Sequence, residues 1–209
     1  MRPLCLDLFC GRGGWARGFL DAGYRVVGFD IEDESDHYPG EFHQQDLRGW
    51  SWTGDMPLVI VASPPCHLLS LANHRPGREE RVERGMALVR ETIRIIDKIH
   101  PPYFAIENVR GAVRAFLPLL GPPKYSDGSW FLWGRFPPWL MPTANRHFKG
   151  TGGKNKGGMH TFVSRRGPEA GRIGHNYRTT YGNPAEIAMI PYAISRGLAE
   201  ACLSMEKTD

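Results

Sequence analysis

The chain has 209 residues, 41% of them hydrophobic, which is enough to bury one sizeable core. No stretch approaches the roughly 18 consecutive apolar residues of a membrane-spanning helix, and we find no apolar leader, so we expect a cytoplasmic protein. The four cysteines form no CxxC pair, which argues against a disulfide framework and against a zinc ribbon. A mixed metal site of Cys5 and Cys10 with His37 or His43 is conceivable, but we predict no metal because the two cysteines accompany a strand.

Positive charge is concentrated in one segment of the chain. Residues 110–178 contain 12 Lys/Arg and 2 Asp/Glu, a net charge of +10, whereas the remaining residues sum to −6. A charged run is usually only a solvated surface, but this one also contains several tryptophan and tyrosine residues. Cations interleaved with aromatic rings suit phosphates and base faces, so the segment predicts nucleic-acid binding.

The N-terminal residues predict a strand, a glycine-rich turn and a helix. Residues 4–9 are mostly apolar, and the spacing Gly11-x-Gly13-x-x-Ala16 follows them. Glycines at this spacing let the backbone turn tightly and approach a ligand at the positive end of the helix. A second strand ends at Asp30, where a carboxylate is placed to accept hydrogen bonds from ribose hydroxyls. By chance, one of the acids between residues 30 and 36 would fall at this distance about half of the time.

Two further predicted strands end at side chains that could take part in catalysis. The β-branched run at residues 59–62 ends at Ser63-Pro64-Pro65-Cys66, and the two prolines fix the backbone that presents the thiol. A cysteine after a proline turn is commonly a small buried apolar residue, and the competing interpretation is a nucleophile in a defined position. Residues 103–106 predict another buried strand, which ends at Glu107-Asn108.

Helices are predicted between and after these strands from the spacing of apolar residues and from the Gly and Pro residues that end them. The predicted elements are helices at 78–100, 112–120 and 184–205, a short polar strand at 42–47 and a strand at 130–133. Within 184–205, Pro191 is a candidate for the start of a second part of the helix. Residues 149–158 contain no apolar side chain, and they predict either a disordered linker or a loop that contacts phosphates.

Alternating strands and helices predict a mostly parallel sheet with helices on both faces, which gathers its ligands at the carboxyl ends of the strands. We expect the Gly11 turn, Asp30, Asp46, Cys66 and Glu107 to lie at this edge. A thiol, a carboxyl group and a nucleotide-type cofactor in one cleft suggest covalent catalysis on a heteroaromatic ring.

Four motifs resemble, in order, those of the DNA (cytosine-5) methyltransferases. They are Asp7-Leu8-Phe9-Cys10-Gly11-Arg12-Gly13-Gly14, Pro64-Pro65-Cys66 with Ser70, Glu107-Asn108-Val109, and Gly182-Asn183. The resemblance covers about residues 4–200, with a poorly matched centre, and implies a Rossmann-like class I methyltransferase sheet with a small basic, loop-rich lobe. It divides the chain into a catalytic domain that binds S-adenosylmethionine (1–136), a reduced basic recognition segment (137–181) and a C-terminal helix completing the catalytic domain (182–209).

The resemblance also implies the cofactor, the substrate and the site residues. S-adenosylmethionine would be the cofactor, double-stranded DNA the partner, and the protein a monomer. Cys66 would add to carbon 6 of a flipped-out cytosine while Glu107 hydrogen-bonds N3 and the exocyclic amine, and the methyl group would pass to carbon 5. The implied cofactor residues are Phe9, Gly11, Gly13, Gly14, Asp30, Ile31, Asp46 and Asn183, and the implied substrate residues include Pro65, Ser70 and Asn108.

The sequence departs from the family pattern where the substrate would be recognised. The places of the family's Gln-x-Arg-x-Arg motif are held by Tyr125, Asp127 and Ser129, so its arginine for the cytosine carbonyl is missing there. The family's usual Gly before Pro-Pro-Cys is Ser63. The recognition region is also short, which predicts short or relaxed sequence specificity. The arginines that could replace the missing one are Arg135, Arg165 and Arg178.

Three other functions remain open from the sequence. A methyltransferase-like protein could bind DNA with weak or no turnover, or the same chemistry could act on RNA or on free nucleotides. A dinucleotide-dependent reductase is the weakest alternative, because nothing in its chemistry requires Pro-Pro-Cys.

Overall fold

A computed structural model of the chain describes residues 2–70, 76–126, 130–139 and 189–206. Their strands form one seven-stranded sheet with the order β3-β2-β1-β4-β5-β7-β6. The five strands from β3 to β5 in this order are parallel, and β7 runs antiparallel to both β5 and β6. This arrangement confirms the predicted class I methyltransferase sheet. The strands are β1 (Leu4–Leu8), β2 (Arg25–Asp30), β3 (Glu41–Gln44), β4 (Val59–Ala62), β5 (Tyr103–Asn108), β6 (Tyr125–Ser126) and β7 (Phe131–Arg135).

The helices agree with the predicted ones except at the start of the last. They are α1 (Gly14–Asp21), α2 (Arg78–Ile99), α3 (Val113–Leu120) and α4 (Tyr192–Glu206). The predicted helix over 184–205 is wrong at residues 189–191, which precede α4, whereas the predicted start of a second part at Pro191 is confirmed. Residues 184–188 lie outside the described part. Pro191 sets the start of α4. Its carbonyl accepts from the backbone N–H groups of Ile194 and Ser195, so the helix starts immediately after this proline.

The two faces of the sheet are covered differently because side chains alternate along each strand. On β1, Leu6 and Leu8 join a core cluster to which α2 contributes Val89 and Ile95. Cys5 on the same strand points the other way and lies near Cys202 of α4. None of the helices in the described residues is both long and apolar enough to cross a membrane.

Helix α4 packs closely against α1. A Cβ atom on Gly18 would lie 2.4 Å from the backbone nitrogen of Arg196, so the two helices meet where only glycine leaves room. The Tyr24 hydroxyl donates to the carbonyl of Ala199 at 3.1 Å. The described residues all belong to one compact unit, residues 1–139 with 189–209, and they join the C-terminal helix to the helix that follows the glycine turn.

Candidate active site

The candidate site lies at the carboxyl edge of the three central strands. β4 pairs with both β1 and β5, and Ala62 lies beside Leu8 on one side and Ile106 on the other. The strand order reverses between β1 and β4, which is the point where open parallel sheets bind ligands. The residues that follow these positions are the glycine turn after β1, Ser63-Pro64-Pro65-Cys66 after β4, and Glu107 on β5.

The turn that carries Cys66 is fixed by backbone and side-chain hydrogen bonds. Cys66 opens a short 3₁₀ turn, Cys66–Leu68, and its carbonyl accepts from the backbone N–H of Ser70 at 2.8 Å. The amide nitrogen of Asn108 donates to the carbonyl of Pro64 at 2.9 Å, and the amide oxygen accepts from the backbone of Val109. Asn108 is fully buried, so its side chain holds the turn to β5 and does not face an open cleft.

The Cys66 thiol and the Glu107 carboxyl group both have raised pKa values. Burial raises the pKa of the Cys66 thiol, and the nearby Glu107 carboxylate raises it further. Burial also raises the pKa of Glu107, to about 7, against the opposing effect of a hydrogen bond from Ser63. The structure therefore brings together a thiol and a carboxyl group that is partly protonated at neutral pH.

Ser63 connects the end of β4 to both neighbouring elements. Its backbone N–H donates to the carbonyl of Leu8 at 3.1 Å, which extends the β1–β4 pairing by one residue. Its hydroxyl accepts from the indole Nε1 of Trp15 at 3.0 Å and hydrogen-bonds the carboxyl group of Glu107. In the sequence, Ser63 is only a departure from the family pattern, and no pattern marks Trp15 as a residue of the site. The signal for Ser63 was a hydroxyl at a position where glycine is usual.

The glycine turn after β1 is built around the Asp30 carboxylate. Gly11 donates its backbone N–H to Asp30 Oδ2 at 2.9 Å, and Glu32 donates to Oδ1 at 3.1 Å. Gly13 has φ of 79°, and a Cβ atom there would lie 2.4 Å from Pro39 Cδ, so glycine is required both by the backbone and by the space. Phe9 is half-buried and has φ of 57°.

The residues around this turn fit the nucleoside part of S-adenosylmethionine. A Cβ atom on Gly11 would meet no atom within 4 Å, so the backbone borders open space. Among the described contacts, α1 has no side-chain cap and no acidic residue in its first turn, which leaves its N-terminal N–H groups for a ligand. Each oxygen of Asp30 can accept a second hydrogen bond, and the neighbouring Ile31 side chain is 55% exposed.

Gly14, another implied cofactor residue, has a packing role in the structure. It is buried as the first residue of α1, and a Cβ atom there would lie 2.5 Å from the backbone nitrogen of Ile190. The close approach joins the glycine turn to the segment before α4. The side of Gly14 on which a Cβ would stand therefore faces protein.

Two implied residues are engaged elsewhere. β3 ends at Gln44, before Asp46, whose carboxylate accepts from the backbone and the guanidinium of Arg48 at 3.0 and 2.9 Å. Arg135 lies opposite Phe104 at the start of β5, the far end from Glu107, and its guanidinium donates to the carbonyls of Pro101 and Pro102. The structure thus does not bring Arg135 to the site. Asn183, Arg165 and Arg178 lie outside the described residues.

Comparisons with known proteins identify the family to which the chain is similar. A family model described as C-5 cytosine-specific DNA methylase matches residues 4–115, more than half of the chain. The Type II methyltransferase M.XorII of Xanthomonas oryzae pv. oryzae is 28% identical over 126 residues, which are 53% of this chain and 29% of that protein. M1.HphI of Haemophilus parahaemolyticus is 32% identical over 120 residues, 50% of this chain and 32% of that protein.

Among solved structures, the Dnmt2 methyltransferase of S. pombe is 17% identical, with a TM-score of 0.41 over 64% of this chain and 49% of that one. The chain spans about a third of the length of the two sequence relatives. On the match of more than half of its residues to the family model, the chain belongs to the family of C-5 cytosine-specific DNA methylases.

Proposed function

We propose that this chain transfers a methyl group from S-adenosylmethionine to carbon 5 of a cytosine in DNA, with Cys66 as the nucleophile. The observation that carries the proposal is the juxtaposition of Cys66 and Glu107 beside the glycine turn. The family membership supports the same reaction, since its members act on carbon 5 of cytosine.

The chemistry explains why both groups are needed. The Cys66 thiolate forms a bond to ring carbon 6, and the electron pair of the 5,6 double bond becomes available at carbon 5. Glu107 hydrogen-bonds N3 and stabilises the negative charge that addition places on the ring. After the methyl group has bonded to carbon 5, the proton leaves that carbon, the double bond re-forms, and the carbon 6–sulfur bond breaks to return the thiolate.

S-adenosylmethionine, when bound, supplies an electrophilic methyl group and leaves as S-adenosylhomocysteine. In this proposal the Asp30 carboxylate accepts from the ribose hydroxyls, and Ile31 packs against the adenine. Phe9, at the start of the glycine turn after β1, also contacts the cofactor. The N-terminal N–H groups of α1 are suited to the carboxylate of the methionine moiety. The remaining residues implied by the resemblance, Asp46 and Asn183, stay predictions.

DNA is the proposed partner, and its cytosine has to leave the base stack. Neither ring carbon can be reached by Cys66 within a duplex, so the base must rotate out of the helix. The basic and aromatic segment at 110–178 suits contacts with the phosphates and bases around the flipped cytosine. Pro65 and Ser70 flank Cys66 and are proposed to border the base, and Arg165 and Arg178 remain candidates for its carbonyl oxygen. We propose short or relaxed sequence specificity and a monomeric protein.

Trapping on DNA that contains 5-fluorocytosine tests base, atom and nucleophile together. Fluorine at carbon 5 prevents the final loss of a proton, so the wild-type chain with S-adenosylmethionine should form a stable covalent adduct whose peptide map places the DNA on Cys66. Cys66→Ala should form no adduct and should transfer no labelled methyl group. Transfer by Cys66→Ala at the wild-type rate would refute the mechanism.

A matched control separates chemistry from folding. Cys202 is fully buried on α4, far along the chain from the proposed site, and Cys202→Ala should keep both the adduct and the methyl transfer.

RNA and free cytidine nucleotides are assayed beside DNA. Transfer to either of them in place of DNA would keep the reaction and change the substrate class.

The second candidate is a DNA-binding protein with little turnover. It is favoured by the position of Arg135, which donates to Pro101 and Pro102 and thus does not replace the family's missing arginine. Salt-dependent DNA binding without labelled transfer or a fluorocytosine adduct would support this function.

A further inference from the structure

The hydroxyl of Ser63 lies between two groups whose hydrogen-bonding roles are fixed. The indole Nε1–H of Trp15 is a donor only, so at 3.0 Å Ser63 Oγ must accept from it. The serine hydroxyl then has its own hydrogen to donate. Ala62 is in register with Ile106, so Ser63 lies beside Glu107 on the neighbouring strand, and donation from its hydroxyl lowers the pKa of the Glu107 carboxyl group. The direction of the chain is therefore Trp15 to Ser63 to Glu107.

We propose that Ser63 is a positioning residue that selects which carboxyl oxygen of Glu107 carries the proton, an inference that rests on the proposed function of Glu107. The carbonyl oxygen of a carboxylic acid is a better acceptor than its hydroxyl oxygen, so a hydrogen bond from Ser63 favours the oxygen that receives it as the unprotonated one. The proton of the carboxylic acid then resides on the other oxygen. That oxygen is the one left to hydrogen-bond N3 of the base beside Cys66.

The position of Trp15 is fixed by its surroundings, so its indole N–H determines the direction of this chain of hydrogen bonds. It is buried in the first turn of α1, and its backbone carbonyl accepts from the hydroxyl of Ser195 on α4. Trp15 also lies two residues after Gly13 of the glycine turn. The hydrogen-bond chain thus links the helix that follows the cofactor turn to the catalytic carboxyl group.

Two described groups are known to interact with Glu107. Its carboxylate raises the pKa of the Cys66 thiol, and the Ser63 hydroxyl lowers the pKa of Glu107. On the antiparallel strand β7, the residue in register with Glu107 is the apolar Leu132. The protonation of Glu107 should therefore respond to removal of the Ser63 hydroxyl.

Titration of Glu107 by infrared spectroscopy tests the proposal without any methyl transfer. The carboxyl absorption is isolated as the difference between each chain and its Glu107→Gln counterpart, and is followed from pH 5 to 9. Donation from Ser63 favours the charged carboxylate, so Ser63→Ala should raise the midpoint by on the order of one pH unit. Ser63→Thr keeps the hydroxyl and should titrate like the wild type.

Kinetics then distinguish a positioning role from a merely structural one. In Ser63→Ala, and in Ser63→Gly as a second variant, kcat for methyl transfer should fall and its acidic limb should move to higher pH. The KM for S-adenosylmethionine should stay within about twofold, because the cofactor contacts are unchanged. Circular dichroism and thermal unfolding confirm that each variant is folded.

The outcomes separate this inference from the proposed function. An unchanged infrared midpoint in both Ser63→Ala and Ser63→Gly would overturn the role of Ser63, whether or not the protein methylates DNA. A raised midpoint with an unchanged pH profile of kcat would also overturn it. If the wild-type chain forms no fluorocytosine adduct, the proposed function fails even where the infrared midpoint moves as expected.

Discussion

The side-chain amide of Asn108 donates to the carbonyl oxygen of Pro64 at 2.9 Å, and so ties the end of β5 to the turn that carries Cys66. The contact joins residues 44 positions apart in the chain, and both are buried. It fixes the backbone just before the thiol at the same strand end that presents Glu107. A single buried hydrogen bond thus sets the relative position of the two groups proposed to act on the base.

Asn108→Ala should therefore affect both stability and activity. It leaves the buried Pro64 carbonyl without its donor, which typically destabilises a protein by about 1–3 kcal/mol. Urea unfolding measures the loss, and kcat should fall more than the affinity for S-adenosylhomocysteine. Gln44→Ala is the matched control, since its exposed amide donates to the Ile31 carbonyl and should cost no more than about 0.5 kcal/mol. Equal losses in both variants would contradict the special role of Asn108.

Asp30→Ala should weaken cofactor binding. The carboxylate holds the glycine turn through Gly11 and is placed to accept from a ribose. Loss of a hydrogen bond to a charged group predicts a decrease in affinity for S-adenosylhomocysteine of about 10- to 100-fold by calorimetry. Asp33→Ala controls for the loss of one negative charge from the same loop, because Asp33 accepts from the backbone of Ser35. If Asp33→Ala binds as weakly as Asp30→Ala, the effect is general electrostatics.

Asp7→Asn should change how stability depends on pH. Asp7 is fully buried on β1, its Oδ1 has no hydrogen-bond partner among the described residues, and its Oδ2 accepts from the Tyr38 hydroxyl at 3.1 Å. Burial raises the pKa of Asp7 well above its ordinary value. Above pH of about 3.9 the unfolded chain therefore releases a proton that the folded chain retains, and stability falls as pH rises towards the folded pKa.

The asparagine variant lacks this titration. Relative to Asp7→Asn, the wild type should lose up to about 1.4 kcal/mol of unfolding free energy for each pH unit in that range. Urea unfolding of both chains between pH 4 and 8 measures the difference. Parallel curves would show that Asp7 is ionised in the folded protein.

The order of the elements could be predicted from the sequence because each strand and helix has a local signal. The apolar runs, the glycine turn and the proline stops indicated β1, β4, β5 and α2 to within a few residues. A strand at 130–133 is also predicted, close to the observed β7, but its antiparallel pairing with β5 is not. The register of β7 against β5 places Arg135 at the start of β5, away from Glu107, where its guanidinium donates to the Pro101 and Pro102 carbonyls.

The edge of the sheet at which the site lies could be predicted from the sequence, but the hydrogen bonds within the site could not. Parallel strands bring their carboxyl ends together, so Cys66 and Glu107 could be assigned to one edge from the alternation of strands and helices alone. The hydrogen bond between Trp15 and Ser63 joins positions 48 residues apart, and no local pattern encodes it. The carboxylate of Asp46 has a partner that its spacing to the strand does not indicate, since the guanidinium of Arg48, two residues away, donates to it; its contact with adenine stays a prediction.

Glu107→Gln should change the shape of the pH–rate profile as well as its height. The pKa of Glu107 is about 7, and the pKa of Cys66 is raised above its ordinary value. At pH values between these two pKa values, the pair of side chains holds one proton. The active arrangement, with thiolate and carboxylic acid, is a constant fraction of that form. The wild-type kcat/KM should thus rise to about pH 7, then level off, and fall only when Cys66 ionises.

In Glu107→Gln the rate depends on the Cys66 thiolate alone. Methyl transfer should be slower by about 10²- to 10⁴-fold, and it should keep rising through pH 7 to 9, where the wild type is level. Initial rates of labelled transfer from pH 5.5 to 10 measure both effects. Glu200→Gln, on the exposed side of α4 where the carboxylate pairs with Arg196, should retain the wild-type profile. A level region that persists in Glu107→Gln would assign the titration near pH 7 to another group and would remove Glu107 as the acid.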